Sequence, residues 1–583
     1  MLKNYLKTAL RNLQRNKAFA LINILGLILG ISATIVIYRI ISFEESFDTY
    51  HTDADRVYRV NIMYDDNGEE GKSVSVMHPL RLALKSDFPD WKIGGIHWWS
   101  TGLLSVENDQ GVETSIKETN PIAFVGSEFF EIFDYELIAG KREKLLLEPN
   151  TVAISVSSAE KLFGLSGGNY QSIIGKTINF ENELNLKIEA VYSDPPQNTD
   201  LDIDYMVFYE GAKIYPYSAG LKSWQTINGA ARLWLKLPAG LTEEGAESLL
   251  KGASDKYLQE LTGFFTNGYM ALEPLEEIHL DESYSSGGVI DRSVISSLTV
   301  LGLILIMTAA INFVNLATAQ SVKRAKEIGI RKVLGSKKSH LMIQFLSEVF
   351  LITFIALIVS LAVSEGALMK LEPILGYSLG LNLFSQPDIL FFLVLLVLVV
   401  TLLSGFYPAI ILANYNPLVA IKSSNGAVKS RAASMSLRRV LVVVQFLISQ
   451  TLIIGTLVIV YQMSFMINKP LGFDTDAIVT FSIPERTEEK MELLKTRLQG
   501  VAGIGDISFY VASPGVARTN NMDQIINPMG AGSELIRANR KNVDDQYAQL
   551  FDLKLLAGDF LRTSSPSGSS VINKKHSESL GFD

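Results

Sequence analysis

The sequence predicts a membrane protein: an α-helical bundle of five transmembrane spans that carries a large α+β domain outside the membrane. The mean hydropathy of +0.22 over 583 residues is high for a soluble protein and low for one buried wholly in lipid. Five apolar segments reach the ~20 residues that a helix needs to cross a bilayer. They are residues 18–42, 293–316, 343–364, 389–413 and 440–462.

Charge predicts the orientation of these spans. Three segments hold 17 Lys and Arg against one acid, although the chain carries a net charge of −9; they are residues 1–17, 320–342 and 414–439. Because basic residues beside spans stay in the cytoplasm, we expect a cytoplasmic N-terminus, with residues 43–292 and 463–583 extracytoplasmic. Each basic segment adjoins a span, so the sequence indicates no nucleic-acid partner.

The N-terminal segment, residues 1–17, predicts a basic amphipathic helix that lies on the inner membrane surface in contact with lipid. It leads into span one, where Gly26-x-x-x-Gly30 permits close packing against another helix. The alternative for these two glycines is that they face lipid.

Residues 43–292 alternate between helix and strand patterns, which predicts an α+β domain. A short helix should carry Pro79 in its first turn. A later helix should be capped by Ser157-x-x-Glu160 and end at Gly164. Strand patterns occur at residues 151–155, at 176–194 as a pair, and at 231–237.

The segment between spans two and three, residues 317–342, contains the most specific motif of the chain. Just before it, Asn312-x-x-Asn315 places two polar side chains in span two, where we expect them to bond to neighbouring helices. The motif itself consists of Glu327, Gly329, Arg331, Gly335 and Ser336.

We expect span two to run on into the cytoplasm as a basic helix that ends at Gly335. Ser336 or Ser339 would then cap a short second helix, which a soluble partner could push. Glu327 and Arg331 are four residues apart, so they share a helix face and can pair, with Gly329 leaving room for a partner between them. The alternative is an ordinary positive-inside loop without a partner.

This motif resembles the cytoplasmic coupling loop of the MacB/FtsX family of ABC-transporter permeases. Segments of residues 43–292 resemble the MacB-like periplasmic core domain of that family: DADRVYRV, VGSEFFEIFDYELIAG, TVAISVSSAEKLFG, GKTINF and LEPLEEIHL. The stretch GFYPAIILANYNPLVAIK resembles the family's exit from its fourth span into a cytoplasmic linker, residues 414–439. The resemblance implies an α/β subdomain with a smaller β-rich insert, near residues 165–230.

The resemblance also implies a function. The chain would be a non-catalytic membrane subunit in the inner membrane of a bacterial cell, and it would bind no cofactor itself. ATP would be bound by a separate ABC ATPase subunit, two copies per complete transporter, docked on the coupling loop. The work would be export or efflux of an antibiotic, a peptide or a lipoprotein, with a possible periplasmic adaptor and outer-membrane channel.

Three alternatives stay open at this point. One is a lipoprotein-releasing permease of the LolC/LolE type, which shares the plan of spans. The second is an FtsX-like regulator of cell-wall hydrolases. The third, from another class, is a membrane-anchored receptor or enzyme without an ATPase.

The chain also contains an internal repeat. Residues 547–558, YAQLFDLKLLAG, parallel residues 129–140, FFEIFDYELIAG, at an offset of 418. The same offset pairs Ile154 with Ile572 without a gap. We therefore expect residues 463–583 to be a partial second periplasmic core domain, which would need about 200 further residues and three more spans to be complete.

Catalytic chemistry finds no support in the sequence. There are no cysteines, and the six histidines show no metal-ligand spacing. Gly164-Leu165-Ser166-Gly167-Gly168 matches the nucleophile pattern G-x-S-x-G, but a helix precedes it where a strand is needed. We therefore predict no catalytic, cofactor-binding or metal-binding residue.

Overall fold

The computed structural model describes residue 11 and residues 17–582, with gaps. The gaps are residues 67–68, 100–101, 108–112, 119–121, 166, 210–222, 225–226, 228, 259–265, 282–289, 384–385, 415–430, 482, 484–486, 517–521, 527–534, 563 and 567–568. The predicted amphipathic helix at residues 1–17 therefore lies almost wholly outside the described residues.

Helices and strands follow the predicted order. The helices are α1 (Lys17–Glu44), α2 (His78–Asp87), α3 (Phe129–Ile132), α4 (Val156–Phe163), α5 (Glu243–Tyr257), α6 (Leu275–Ile278), α7 (Arg292–Val333), α8 (Lys338–Leu375), α9 (Pro387–Asn414), α10 (Arg431–Asn468), α11 (Glu488–Gln499), α12 (Tyr547–Leu550) and α13 (Lys574–Ser579). The strands are β1 (Val57–Asp66), β2 (Glu69–Ser73), β3 (Lys92–Trp99), β4 (Gly102–Glu107), β5 (Glu113–Glu118), β6 (Ile122–Val125), β7 (Leu137–Gly140), β8 (Thr151–Ser155), β9 (Thr177–Phe180), β10 (Leu184–Tyr192), β11 (Tyr205–Phe208), β12 (Ala231–Lys236), β13 (Thr266–Pro274), β14 (Met522–Ile526) and β15 (Leu535–Asn539).

Among the described residues, five helices are long and apolar enough to cross a membrane: α1, α7, α8, α9 and α10. Each of the five predicted spans coincides with one of these helices, and α7 and α8 extend well past the apolar segments. Span one packs against α7 and α8, and α9 packs against both as well. Span five contacts α7. None of its 18-residue apolar window is buried.

The region between α1 and α7 is the α+β domain that the pattern predicts. Its strands form one mixed sheet in the order β13-β1-β12-β3-β6-β11-β8-β10-β9-β4-β5, with β2 beside β1 and β7 beside β10. The pairs β8–β10 and β6–β11 are parallel, and the other pairings are antiparallel. The strands predicted at residues 176–194 are β9 and β10, which pair from Leu184–Phe180 to Lys187–Thr177.

Two apolar cores flank the ends of this sheet, and a third lies between them. One packs α2 and α5 on β1, β12 and β13; the other packs α4 on strands β8 to β11. The second core includes Leu104 and Val106 of β4, which pairs with β9 at Leu104–Phe180. The expected separate β-rich insert at residues 165–230 is therefore wrong. The hydrogen-bonded ladder is continuous, and the second half of the domain begins at β4.

The helix α4 begins one residue earlier than its predicted cap. Ser155 accepts a hydrogen bond from the Ser158 amide at 3.1 Å, so Ser155 is the N-cap. The hydroxyl of Ser157 instead donates to Asp194 at 2.7 Å, and Glu160 accepts from the Tyr170 hydroxyl. The predicted Ser157–Glu160 capping box is thus wrong, because a distant carboxylate takes its serine. Gly164 ends the helix in the left-handed conformation, as predicted.

The two segments of the internal repeat form helices at the same offset, although β7 and β8 have no counterpart strand at residues 555–558 and 569–573. α12 begins and ends 418 residues after α3, and α13 begins 418 residues after α4. Asn573 caps α13 by accepting from the His576 amide, just as Ser155 caps α4. Gly140 and Gly558 both have positive φ, at 99° and 82°. These parallels show that the helices of the repeat recur, and a second copy of the domain in residues 463–583 stays a prediction.

Candidate coupling site

The turn between α7 and α8 is where the sequence places the coupling motif. α7 runs without a break from Arg292 through span two and the basic segment to Val333. Gly335 follows with a φ of +96°, a region that glycine occupies without strain. The Ser336 amide donates to the Arg331 carbonyl and the Gly335 amide to the Lys332 carbonyl, both at 3.0 Å. These two bonds form a Schellman motif, so Gly335 ends the helix as the sequence predicts.

The short second helix that the sequence predicts does not form. α8 begins at Lys338 and continues unbroken through span three, and its N-cap is Lys337, which makes no capping side-chain bond. Neither Ser336 nor Ser339 is the N-cap. The physical reason is that the apolar residues leading into span three begin at Leu341, within the first turn of α8, so nothing ends the helix before the span. Residues 334–337 form a tight turn between two long helices.

Two lysine side chains brace this turn against α9. The Lys332 ammonium donates to the carbonyl of Ala413 at 2.6 Å, and Lys338 donates to the Asn414 side chain at 3.1 Å. Both acceptors belong to the last residues of α9. Burial, with the charge of Lys338 nearby, lowers the pKa of Lys332. The turn is therefore tied to three spans, and a force applied to it reaches all of them.

Arg331, which the sequence assigns to the motif, donates to the Gln344 side chain of α8 at 2.9 Å. It thus also braces the turn from within. The side chain of Glu327 lies outside the described residues, so its pairing with Arg331 remains a prediction. Gly329 is buried. The expectation that Gly329 leaves an open face for a partner is therefore corrected, because the chain itself covers that face.

The accessible face of the turn is apolar. Ile330 is 46% exposed, Val333 67% and Leu334 80%. They stand at positions i, i+3 and i+4 of the helix end and so form one patch, with exposed Lys337 and Lys338 beside it. Sequence reasoning missed this patch, although the spacing of apolar residues inside a basic helix was a signal that could have revealed it. An exposed apolar patch rimmed by charge is typical of a protein-binding surface.

Helix packing involves the other predicted residues, Gly26, Gly30, Asn312 and Asn315. A Cβ added to Gly30 would stand 2.6 Å from the Cβ of Ala309 on α7, and one added to Gly26 would stand 3.0 Å from the Asn312 amide nitrogen. Spans one and two therefore approach closely at the two glycines. Asn315 donates to Gln445 of α10 at 3.4 Å, which ties span five to span two.

Spans one and three are held by a ladder of serines. Ser360 donates to the Ile28 carbonyl and Ser364 to the Ser32 carbonyl, each at 3.2 Å. Ser32 donates back to the Ser360 carbonyl at 3.4 Å. Small residues allow these two backbones to approach, and each hydroxyl donates a hydrogen bond to a backbone carbonyl of the other helix. Span one is thus packed tightly between spans two and three.

Two known families match this chain. The MacB-like periplasmic core domain matches residues 20–252, and the FtsX-like permease C-terminal domain matches residues 299–417, which include the coupling turn. Together they cover most of the α+β domain, four of the spans and the turn.

The chain is similar, at low sequence identity, to several macrolide export proteins. The macrolide export ATP-binding/permease protein MacB of Shewanella sp. (strain ANA-3) is 26% identical over 235 residues, which are 39% of this chain and 32% of that protein. MacB 1 of Yersinia pestis bv. Antiqua (strain Antiqua) is 22% identical over 318 residues, 51% of this chain and 42% of that protein. This chain therefore spans less than half the length of these relatives. A solved domain of a putative permease protein from Porphyromonas gingivalis aligns with 39% of this chain and 92% of its own at 19% identity, with a TM-score of 0.32.

The two family matches follow each other along the chain in the same order as the structural elements that they cover. An α+β domain stands between spans one and two, and a basic turn joins spans two and three. The chain belongs to the MacB/FtsX family of ABC-transporter permeases.

Proposed function

We propose that this chain is the membrane subunit of an ABC transporter and that a separate ATPase docks on the turn between α7 and α8. The observation that carries the proposal is the patch of Ile330, Val333 and Leu334, exposed at the end of a basic helix and braced against α9. Burying a side chain such as Leu334 under a partner contributes about 2 kcal/mol. The lysines beside the patch favour an acidic rim on that partner.

Motion of the ATPase passes to the outside through unbroken helices. α7 is one helix from Arg292 to Val333, so its inner end cannot move without its outer end. The glycine contacts carry that movement to α1 and the serine ladder carries it to α8. Both ends of the external domain are attached to these spans. ATP is bound and hydrolysed on the partner, and this chain supplies the transmission.

The work is done outside the membrane, on the side of residues 43–292, in the inner membrane of a bacterial cell. Two relatives are named for macrolide export, which supports export or efflux as the class of activity. An antibiotic, a peptide or a lipoprotein is the proposed substrate, with a periplasmic adaptor and an outer-membrane channel as further partners.

The test is the substitution Leu334→Asp in the full-length chain. Leu334 is 80% exposed, so its replacement removes no packing within the chain and should leave insertion and folding unchanged. Placing a charge in the docking patch should abolish co-purification of ATPase activity from the native membrane. The matched control is Ser339→Asp, which adds the same charge at an exposed position in the first turn of α8.

Loss of ATPase activity with Leu334→Asp but not with Ser339→Asp would support the docking site. Equal retention in both variants would refute it. If the unmodified chain co-purifies no ATPase activity, the membrane-subunit proposal itself is refuted.

A further inference from the structure

Four separate segments meet at the outer surface of the bundle, around the side chain of His279. They are the end of α1 at Glu44, the segment 197–201 of the external domain, the residue after α6, and the residues after α8 at Tyr377. Glu44 is 3% exposed and His279 is 7% exposed. We call this cluster the outer joint. It is far in sequence and in space from the coupling turn, at the opposite end of α7 and α8.

His279 bridges a span and the external domain. Its Nε2 lies 2.7 Å from the Glu44 carboxylate of span one. Its Nδ1 lies 3.0 Å from one carboxylate oxygen of Asp200 and 3.1 Å from the other. Carboxylates at pH 7 only accept hydrogen bonds, and a neutral imidazole donates at one nitrogen. Only the imidazolium can donate to both, so the geometry requires a charged His279 between two anions.

Aromatic rings hold the imidazolium in place. Phe47 stacks on the His279 ring with centroids 3.4 Å apart and an angle of 12° between planes. Phe43 of α1 stacks on Tyr377 at 4.3 Å and meets Phe47 edge-on at 5.5 Å. The Tyr377 hydroxyl donates to the second oxygen of Glu44. Span one, the exit of span three and the external domain are thus part of one packed unit.

Backbone bonds continue the unit into the domain. The Asp48 amide donates to the Asn198 carbonyl at 3.0 Å, and Asn198 donates back to the Ser46 carbonyl at 2.9 Å. The Asp48 carboxylate accepts from the Thr199 hydroxyl and, at 3.2 Å, from the Asp200 amide. Gln197 accepts from the Ser378 amide at 3.1 Å. The same few residues therefore bind the exits of both spans.

We propose that His279 is a positioning residue: as an imidazolium between Glu44 and Asp200, it fixes the external domain to the outer ends of spans one and three, so that the domain moves with those spans. This inference rests on the proposed function, in which the spans move, but the rigidity of the joint is a property of this chain alone. For this attachment the charge of His279 matters more than its packing, because a neutral His279 can donate to only one of the two carboxylates.

The titration of the joint agrees with this geometry. Burial lowers the pKa of His279, but its bonds to Asp200 and Glu44 outweigh burial and raise the pKa to about 9. Burial and the charge of Asp200 raise the pKa of Asp48 to about 7. Burial and the bond to Glu44 raise the pKa of Tyr377, so its hydroxyl keeps its proton. Raising the pH from about 7.5 to about 10 therefore removes most of the charge of His279.

The experiment measures how firmly the domain is held. The chain has no cysteine, so two spin labels can be introduced cleanly, one at Glu148→Cys in the external domain and one at Lys370→Cys at the outer end of α8. Both positions are exposed. Electron–electron distance distributions are recorded on the full chain in lipid nanodiscs, at about pH 7.5 and about pH 10. No ATPase is required.

We expect one narrow distribution at the lower pH that broadens as the pH rises through about 9. His279→Gln should give the broad distribution at both pH values. Glu44→Gln removes one of the two anions, so the midpoint of the broadening should fall by about one pH unit or more. The matched control is His78→Gln, which replaces a buried histidine of the same domain that bonds to Tyr209 and contacts neither span. It should behave as the parent does.

A merely structural His279 would lower the melting temperature of the variant but leave the distance distribution narrow, and that result overturns the proposal. A parent distribution that stays narrow at about pH 10 overturns it as well, and this arm needs no variant to fold. Because no ATPase takes part, these results are independent of the co-purification test of the proposed function.

Discussion

Single residues decide how closely the spans of this protein approach. Gly30 stands where any side chain would strike Ala309, whereas Gly366 of α8 has open space around its Cα. Both glycines lie inside apolar helices, so the sequence does not distinguish them. In the structure only Gly30 lies against a neighbouring helix. A helix gains stability when an exposed glycine becomes alanine, by about 1 kcal/mol, because the unfolded chain loses freedom. At a glycine that packs against another helix, the same substitution lowers stability instead.

We therefore expect Gly30→Ala to destabilise the folded protein by about 1–3 kcal/mol, through overpacking against α7. Gly366→Ala should leave stability unchanged or raise it slightly. The measurement is the thermal or denaturant midpoint of each purified variant in the same lipid or detergent. If Gly30→Ala melts with or above the parent, spans one and two do not pack through this glycine.

At the scale of elements, the turn between α7 and α8 is the feature that the family relationship makes most informative. It is four residues long, and one of them has a conformation that side chains rarely adopt. A Cβ on Gly335 would meet no atom within 4 Å, so a substitution there acts on the backbone alone. That makes Gly335 a cleaner probe than Arg331, whose replacement would also break its bond to Gln344.

Gly335→Val should cost about 1–3 kcal/mol of backbone strain, relieved by distortion of the turn. The exposed patch would then be presented at a different angle, and we expect reduced ATPase co-purification with the protein still inserted. Gly335→Asn is the control, because Asn tolerates positive φ better than Val. Equal co-purification with both variants would mean that the conformation of the turn does not matter for docking.

On the scale of the whole molecule, the coupling turn and the outer joint lie at opposite ends of the same helices. α7 and α8 meet at the turn, and the exits of α1 and α8 meet the external domain at the joint. Transmission of movement from the turn to the external domain requires the two ends to lie on opposite sides of the membrane. The excess of basic residues on the side of the turn predicts that this side is cytoplasmic.

Cysteine labelling tests this topology. A cysteine at Glu148 should react with a membrane-impermeant thiol reagent in intact cells, and one at Lys337 should react only after the cells are opened. Both side chains are exposed, and the chain has no other cysteine to compete. Labelling of Lys337→Cys and not of Glu148→Cys in intact cells would reverse the orientation and place the ATPase site on the wrong side.

The sequence by itself determined the five spans, the paired strands β9 and β10, the end of α7 at Gly335, and the repeat at an offset of 418. The spans, the strands and the helix end depend on hydropathy, charge or a conformational preference within a few residues, and the repeat follows from comparing two segments, so each is visible in the linear sequence. Tertiary structure decided the rest. Ser155 caps α4 because Asp194, 37 residues from Ser157, takes the predicted cap. The continuous sheet replaced the expected insert, and Gly329 became buried. The outer joint depends on Glu44 and His279, which are 235 residues apart, and no local pattern brings those two together. Long-range pairs form where packed helices and strands happen to meet, and that geometry is set only once the whole chain has folded.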